Sequence, residues 1–405
     1  IDLASLYAER QMLKGYAFNN DCIWQKEMED LFPFKETRDQ IKAIETVKKL
    51  MEKDKPMDLL ICGDVGFGKT EVAVRAAFKA IENEKQVLML VPTTILADQH
   101  ARTFKERYEN FPVIVEVISR FKTARQQKDI IKKFAEKKLD LLIGTHRLLS
   151  RDIKPHDLGL IIIDEEQRFG VNAKEKLKLL KKNVDTLTLT ATPIPRTLYM
   201  SLSGIRDIVL IETHPSGRFP IETFVGEKND LVIKMAIERE IKRGGQVYYV
   251  YNRIKDIDEK KYKLKILLPD IKIALTHGRM EGKKIEKIMQ DFLNKKYDLL
   301  LTTTIIESGM DISNVNTLIV ENSHKFGLSQ LYQIRGRVGR SSEKAYAYFF
   351  YPNKRTLSLP AFQRLKTLAE YTDLGSGYKI ALKDLEIRGA GDILGAKQHG
   401  HINNV

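Results

Sequence analysis

Short, almost uninterrupted runs of apolar residues recur along this chain and are separated by longer amphipathic stretches. Strands that are buried on both faces have this pattern, and helices between them supply the crossovers that parallel strands need. Six runs occur in the first half of the chain and five in the second, beginning at Leu59, Val87, Val113, Leu139, Leu158, Thr186, Gln246, Ile271, Tyr297, Thr317 and Ala345. The spacing predicts an α/β protein with two parallel sheets, each flanked by helices.

The length of the chain favours two lobes. At 405 residues it exceeds the size at which a single hydrophobic core stops growing. Pro and Gly cluster at residues 212–220, where we place the join. We expect an N-terminal linker helix over residues 1–36, a first lobe over 37–215, a second lobe over 216–352 and a C-terminal helical hairpin over 353–405. The chain starts without a methionine, so we expect it to be part of a longer protein.

Composition indicates which partners and which cellular compartment to expect for the protein. Lys and Arg number 68 against 54 Asp and Glu, a net charge of +14 that favours a polyanionic partner. The two cysteines, Cys22 and Cys62, have neither the spacing of metal ligands nor that of a disulfide framework, so we expect a reducing cytoplasm. No apolar run reaches membrane-spanning length and no secretory signal is present, so no membrane partner is expected.

Residues 63–70, with the sequence GDVGFGKT, fit the pattern G-x-x-x-x-G-K-[ST] between a predicted strand and a predicted helix. Glycines let the backbone curl so that successive N–H groups face an anion at the start of the helix. Lys69 would reach the β- and γ-phosphates, and the Thr70 hydroxyl would ligate Mg²⁺. The alternative is a glycine-rich turn without a ligand. The predicted phosphate cradle consists of Gly63, Asp64, Val65, Gly66, Phe67, Gly68, Lys69 and Thr70.

A carboxylate pair follows the apolar run that begins at Leu158. Asp164 would hold Mg²⁺ through water, and Glu165 would orient and deprotonate the attacking water. Glu166 is expected to be a spectator, and an acidic strand end without a role is the alternative for the whole group. The nucleotide is expected to be ATP because no N-K-x-D guanine signature is present. The amide of Gln40, ahead of the cradle, could pair with adenine N6 and N7.

The second half contains an arginine-rich segment at residues 330–340, QLYQIRGRVGR. Arg337 and Arg340 are three residues apart, so on a helix they would share one face. Such residues could act as arginine fingers that stabilise charge on the transferring phosphoryl group. A basic, solvent-facing helix or a nucleic-acid-binding helix is the alternative.

Taken in order, these segments resemble the motifs of superfamily-two helicases. Further resemblances are VPTTILADQH at 91–100, IGTHRLL at 143–149, TATPIPRT at 190–197, VYYVYNR at 247–253, TTTIIESGMDI at 302–312 and QIRGRVGR at 333–340. The family implies two RecA-like lobes that hydrolyse ATP and track along nucleic acid. It also implies that Gly309 and Asp311 contact the nucleotide, that Gln333 assists catalysis, and that Gln167, Thr190 and Thr192 couple the sites.

Residues 385–400, LEIRGAGDILGAKQHG, resemble the TRG helical-hairpin motif of RecG-type fork-reversal enzymes and of transcription-repair coupling factors. In that motif Arg388 and Gln398 would link the motor to movement along double-stranded DNA. The segment YAERQMLKGYAFNND at 7–21 resembles the helix that precedes the motor in the coupling factors, which are the more similar group. Gln167 and His399 depart from the usual His and Ser of the family.

The resemblance assigns a set of DNA-facing positions: Thr93, Thr94, Thr145, His146, Asn252, His277, Arg279, Thr303 and Thr304. Hydroxyls, amides and a few cations at strand ends suit contacts with phosphate and sugar that read no bases. For each threonine the alternative is a strand-end or helix-capping hydroxyl. Tyr248, Tyr249 and Tyr251 could form a base-stacking platform, but on a predicted strand we favour core packing.

The leading hypothesis is the ATP-driven double-stranded DNA translocase of a transcription-repair coupling factor. In the full-length protein it would displace RNA polymerase and recruit nucleotide-excision-repair proteins through regions outside this chain. A RecG-like fork remodeller is the second hypothesis and would need a DNA-wedge domain. A nucleotide-gated module without hydrolysis is disfavoured by Glu165 and the paired arginines, and a strand-separating RNA helicase by the TRG-like segment.

Overall fold

The computed structural model describes residues 13–120, 122–191, 206–215, 219–303, 312, 314–339, 343–373 and 375–388. The chain forms two compact units, Ile1–Pro215 and Ser216–Val405. Each contains a wholly parallel sheet with helical crossovers, so the predicted fold class is confirmed. Among the described residues, no helix has the length and apolarity that crossing a bilayer requires.

Within the described part of the first unit, the sheet has seven strands in the order β3-β4-β2-β5-β6-β1-β7. Every neighbouring pair is parallel. The six predicted strands are all present, and the edge strand β7 is an addition. The strands are β1 (Asp58–Gly63), β2 (Gln86–Leu90), β3 (Val115–Ile118), β4 (Leu141–Gly144), β5 (Leu158–Asp164), β6 (Asp185–Thr190) and β7 (Asp207–Ile211).

Six helices of the first unit are described: α1 (Ile23–Asp30), α2 (Arg38–Met51), α3 (Lys69–Glu82), α4 (Thr94–Arg107), α5 (Ala124–Ala135) and α6 (Val171–Leu180). Capping boxes explain two of their starts: Thr37 with Gln40 begins α2, and Thr123 with Gln126 begins α5. The linker-helix prediction is wrong for residues 13–22, which form no helix. The side chain of Cys22, the last of these, caps α1.

The N-terminal segment is attached to the first unit by buried charge. The Lys79 ammonium of α3 has a side-chain exposure of 1% and donates to the Asn19 carbonyl, to Asp21 Oδ1 and to Glu52 Oε1 at 2.7–2.8 Å. Met28 of α1 is fully buried. The segment thus belongs to the first unit, because Lys79 would otherwise lose the Asp21 carboxylate and the Asn19 carbonyl in a dry environment.

As far as the second unit is described, its sheet has six parallel strands in the order β10-β11-β9-β12-β13-β8. The five predicted strands are present and β8 is an addition. The strands are β8 (Glu222–Glu227), β9 (Gln246–Tyr251), β10 (Ile273–Thr276), β11 (Leu299–Thr302), β12 (Val315–Glu321) and β13 (Tyr346–Tyr351). Tyr248, Tyr249 and Tyr251 are all buried in the core. The core-packing interpretation is confirmed, and the base-stacking platform is not formed.

The α-helices described in the second unit are α7 (Asp230–Lys242), α8 (Ile257–Leu267), α9 (Gly282–Leu293), α10 (Leu328–Arg335), α11 (Leu359–Glu370) and α12 (Gly377–Arg388). The last three pack against one another. Residues 389–405, which contain most of the TRG-like segment, lie outside the described residues. The C-terminal hairpin therefore stays a prediction.

Candidate functional site

The predicted phosphate cradle lies between the carboxyl end of β1 and the first turn of α3. Gly66 and Gly68 have φ angles of 81° and 77°, a left-handed conformation that glycine adopts without steric cost. Gly63 packs closely on β7, since a Cβ atom added there would lie 3.0 Å from the Cβ atom and carbonyl oxygen of Ile211. These contacts hold the loop in a curl that leads directly into Lys69, the first residue of α3.

Gln40 connects the start of α2 to the cradle. Its Oε1 atom accepts from the Thr37 N–H at 2.7 Å, and its Nε2 atom donates to the Phe67 carbonyl at 2.9 Å. A Cβ atom at Gly68 would lie 2.1 Å from the same Nε2 atom. The side chain, 5% exposed, therefore supports the loop. Its pairing with adenine stays a prediction.

The Lys69 ammonium is folded back onto the cradle. It donates to the carbonyl oxygens of Gly63 at 2.5 Å and Asp64 at 2.9 Å. Burial lowers the pKa of Lys69, and the negative charges of Glu165, Asp164 and Asp64 only partly offset that effect. The strands that carry the cradle and the carboxylate pair, β1 and β5, are both parallel neighbours of β6, so the two groups lie at the same carboxyl edge of the sheet.

The carboxylate pair stands at the carboxyl end of β5. Asp164, the last residue of that strand, lies beside α4, where its Oδ2 atom is 3.2 Å from Nε2 of His100. Glu165 follows with φ of 52° and ψ of 56°, a left-handed conformation that is uncommon for a residue with a side chain. Such strain persists where the surroundings over-determine it, and it is concentrated at functional sites.

Three donors from neighbouring segments fix the Glu165 carboxylate. The Ala191 N–H donates to Oε1 at 3.0 Å, and the Thr190 hydroxyl donates to Oε2 at 3.2 Å. Gln167 Nε2 also contacts Oε2 and lies 3.3 Å from the Thr190 hydroxyl. Two of the predicted coupling residues thus meet at the predicted base.

Glu166 has a different environment from its neighbour, and its partners were not anticipated from the sequence. It forms ion pairs with Lys181 at 2.7 Å and Arg206 at 3.1 Å. Arg206 also pairs with Asp58 at 2.8 Å. Burial alone would raise the pKa of Glu166, but the charges of Lys181 and Arg206 outweigh it and hold that pKa far below its ordinary value. Glu166 joins the turn after β5 to α6 and to the start of β7.

A groove of about 460 Å³ opens in the first unit beside the carboxyl ends of its strands. Pro92 and His146 line one part of it, and the segment that begins α6 lines another, with Arg168, Asn172 and Lys176 among its residues. His146, Asn172 and Lys176 are exposed. The groove therefore presents cationic and polar groups next to the predicted DNA-facing residues.

The predicted DNA-facing residues of the first unit differ in exposure. Thr93 caps α4 by accepting from the Leu96 N–H at 3.3 Å, so the capping alternative is realised there. Thr94 and Thr145 are each 8% exposed, whereas His146 is exposed. In the second unit Asn252 and Arg279 are exposed, His277 is half-buried and Thr303 is 4% exposed.

The prediction that Arg337 and Arg340 share a helix face is wrong for Arg337. Helix α10 ends at Arg335, with Gly336 as its cap, and Gly339 has φ of 75°, so glycines turn the chain here. The Arg335 guanidinium donates to the carbonyls of Leu368 at 3.0 Å and Tyr371 at 2.7 Å, which anchors the end of α11. Gln333 and Arg337 are 8% and 4% exposed.

Several predicted site residues lie outside the described residues: Thr192, Thr304, Gly309, Asp311, Arg340 and Gln398, together with the side chain of Arg388. Conversely, His100 contacts the site although no role was predicted for it. A single histidine within a helix carries no local signal, and its contact with Asp164 arises only from tertiary packing.

Two helicase family models match this chain. A model of the DEAD/DEAH box helicase family matches residues 37–201, and a model of the helicase conserved C-terminal domain matches residues 227–342. The first match falls in the first unit and the second in the second unit, as expected for a helicase with two RecA-like lobes. These matches imply that the chain uses a nucleotide.

Proteins similar to this chain include the transcription-repair-coupling factor of Bacillus subtilis (strain 168). It is 56% identical over 404 residues, which cover 100% of this chain and 34% of that protein. The transcription-repair-coupling factor of Staphylococcus aureus (strain NCTC 8325 / PS 47) is 54% identical over 404 residues, covering 100% of this chain and 35% of its own length. The expected resemblance to the coupling factors is confirmed, and the chain spans about a third of the length of these relatives.

Solved helicase structures agree with this assignment. A structure of RecG bound to a three-way DNA junction matches with a TM-score of 0.81 and 34% identity, covering 98% of this chain and 52% of that chain. The DEAD-box helicase Mss116 bound to single-stranded RNA and UDP-BeF matches with a TM-score of 0.65 at 17% identity, over 91% of this chain and 80% of that one. The second similarity concerns the fold alone.

Proposed function

We propose that this chain is the motor module of a transcription-repair coupling factor, which hydrolyses ATP to move along double-stranded DNA. The observation that carries the proposal is the convergence of the cradle, Lys69, Asp164 and Glu165 at one edge of the first sheet. The 56% identity to a transcription-repair-coupling factor over 404 residues supports the choice of DNA as the track.

The residues at the cradle suit a nucleotide with its magnesium ion. The donors are the Asp164 carboxylate, half-buried beside the cradle, and the Thr70 hydroxyl at the start of α3. Mg²⁺ prefers such oxygen ligands and takes most of its other ligands from phosphates and water. When bound, it neutralises charge that develops on the phosphate oxygens. Lys69 would exchange its carbonyl partners for the β- and γ-phosphates.

Glu165 suits the role of a general base. Among the described residues, the Ala191 N–H is the one donor to its Oε1 atom, so a lone pair on that oxygen is open to an attacking water. The two hydrogen bonds on Oε2 fix the direction of that lone pair. Because Thr190 and Gln167 make those bonds, a movement of either residue would redirect the base, which supports their predicted coupling role.

The second unit would contribute Arg337, Arg340 and Gln333 to the same reaction, with Gly309 and Asp311 as further nucleotide contacts. Guanidinium groups that engage the γ-phosphate and release it after hydrolysis would couple turnover to movement. These roles rest on the family resemblance, as do those of Thr192, Arg388 and Gln398.

DNA would be held through its phosphates. The net charge of +14 and the exposed residues of the groove support backbone contacts, which give binding without sequence preference. In the full-length cytoplasmic protein, movement along DNA would displace RNA polymerase. Contacts with the polymerase and with nucleotide-excision-repair proteins would use regions outside this chain.

ATPase activity measured with duplex DNA, single-stranded DNA, RNA or no nucleic acid tests the proposal. We expect duplex DNA to stimulate turnover most. Lys69→Ala and Glu165→Gln should each lose hydrolysis, while Glu165→Gln should still bind nucleotide. Stimulation by RNA alone would point to an RNA helicase, and undiminished turnover in both variants would reject the site.

RecG-like fork remodelling is the second candidate, supported by the RecG match at a TM-score of 0.81. Both candidates predict duplex-stimulated ATPase, so a different assay separates them. The full-length protein should displace a third strand from a triplex while leaving a model replication fork unregressed, and Arg388→Ala should retain ATPase but lose displacement. Efficient fork regression would favour the RecG-like activity.

A further inference from the structure

His100 contacts the metal-site carboxylate from outside the segments that form the cradle. It lies on α4, about two turns after the helix start at Thr94. Its Nε2 atom is 3.2 Å from Oδ2 of Asp164, and the two side chains are 10% and 14% exposed. We infer that His100 is a positioning residue that fixes the Asp164 carboxylate for the magnesium ion. This inference deepens the proposed function and rests on its assignment of Asp164 as a metal ligand.

The geometry gives the two carboxylate oxygens different environments. An ionised carboxylate only accepts hydrogen bonds, so the imidazole must donate through Nε2–H. That bond occupies Oδ2, and no hydrogen bond to Oδ1 is recorded from the described residues. A carboxylate held at one oxygen presents the other in a fixed direction. Hydrogen-bonded partners of this kind orient metal-ligating groups, and their loss weakens metal binding.

The helix that carries His100 is rigid enough for this role. Ala97, Ala101 and Phe104, spaced at helical intervals around it, are 0%, 5% and 0% exposed, so α4 is packed against the first unit on either side of the histidine. Thr93 caps the helix. The ring nitrogen is therefore delivered from a backbone that cannot relax away from Asp164 without disturbing the core.

Three substitutions separate positioning from packing. His100→Leu removes the donor and keeps much of the volume. His100→Gln retains an N–H donor at nearly the same distance from the backbone as Nε2. His100→Asn also retains an N–H donor, but its shorter side chain holds that donor too close to the backbone to reach Asp164. His156→Gln is the matched control, because His156 lies in the same unit just before β5 begins, at the opposite edge of the sheet from Asp164.

The test measures Mn²⁺ affinity of the complex with ADP by electron paramagnetic resonance, and ADP affinity in the presence of EDTA. We expect His100→Leu and His100→Asn to weaken Mn²⁺ binding about 10–100-fold, the usual loss when the partner of a metal ligand is removed. His100→Gln and His156→Gln should retain the wild-type value. The metal-free ADP affinity should be the same in all variants.

Asp164→Asn separates failure of this inference from failure of the proposed site. If Asp164→Asn weakens Mn²⁺ binding and His100→Leu does not, the positioning role is rejected and the metal site stands. If neither variant changes Mn²⁺ affinity, both assignments are rejected. Should His100→Leu fail to fold, equal Mn²⁺ affinities in the Gln and Asn variants would reject the role. In the double variant His100→Leu/Asp164→Asn, the two losses of Mn²⁺ affinity should not add, because both substitutions disrupt the same interaction.

Discussion

Two adjacent glutamates, Glu165 and Glu166, should respond in opposite ways to the same substitution. Glu165→Gln should remove the general base and lower ATP turnover about 10²–10⁴-fold, while the unfolding midpoint stays near that of the wild type. Glu166→Gln should leave turnover largely intact and lower stability. The difference follows from their partners, because Glu165 accepts from neutral donors and Glu166 neutralises two cations.

The loss of stability expected for Glu166→Gln follows from the cations that the substitution leaves without this partner. Removing one partner of a buried ion pair costs about 3–5 kcal/mol, because the other charge stays buried. Glu166 retains 25% side-chain exposure, and Arg206 keeps its pair with Asp58, so we expect the lower end, about 3 kcal/mol. The free energy of unfolding falls by about 2–3 kcal/mol for each molar of urea, so the urea concentration at the unfolding midpoint should fall by about 1 M.

Trp24 makes the measurement specific to the first unit. It is the single tryptophan of the chain, lies on α1, and makes an edge-to-face contact with Phe111 at a centroid distance of 6.4 Å. Its fluorescence during urea titration therefore follows unfolding of the first unit without a signal from the second. ATP turnover is measured on the same samples.

The pH dependence gives an independent check. The pKa of Glu166 in the folded protein lies below its ordinary value of 4.5, so its contribution is fully present above about pH 4.5 and is lost as pH falls towards the folded pKa. The midpoint difference between wild type and Glu166→Gln should therefore shrink below that pH. A Glu166→Gln midpoint within about 0.3 M urea of the wild type at neutral pH, or loss of turnover without loss of stability, would refute the assignment.

Three further predictions concern other parts of the molecule. Lys176→Glu in the groove should weaken duplex DNA binding for all sequences and reduce the slope of log affinity against log salt by about one. Lys49→Glu on α2 is the control. Equal slopes in the two variants would exclude the groove as a DNA-binding site. Lys79→Met should lower the Trp24-detected stability by about 3 kcal/mol and accelerate proteolysis within residues 13–36, whereas unchanged proteolysis would contradict the docking role of Lys79. Arg335→Ala removes the donor to the carbonyls of Leu368 and Tyr371 at the end of α11 and should destabilise the second unit by about 2 kcal/mol. Calorimetry should show a lower unfolding temperature for the second unit and an unchanged one for the first.

The strands were mostly predictable where they are buried on both faces, and two of the four edge strands, β7 and β8, were missed. Runs such as residues 59–62 are apolar throughout because helices cover both faces of a parallel sheet. β8 alternates between exposed and half-buried positions, so it lacks that signature. Residues 208–211 of β7 are all apolar, so that strand has the signature and was missed beside the Pro- and Gly-rich join. The end of α10 was predictable in principle, since Gly336 and Gly339 stand between the arginines.

The chemistry of the site was predictable where it depends on local sequence. The cradle is a continuous segment, and Asp164 and Glu165 follow a strand, so both could be placed from motif and context. The partners of Glu166 and the contact of His100 join residues far apart in the chain. Glu166 and Arg206 are 40 residues apart in the chain, and only the tertiary structure brings such residues together.

The position of β1 between β6 and β7 has a consequence for how the protein is made. Its two neighbours are β6 and β7, and β6 begins at Asp185, long after β1 ends at Gly63. A ribosome adding about 5–20 residues per second needs on the order of ten seconds to cover that interval. During this time the apolar strand that carries the cradle has no pairing partner, so an element encoded early is among the last to be fixed in the nascent chain.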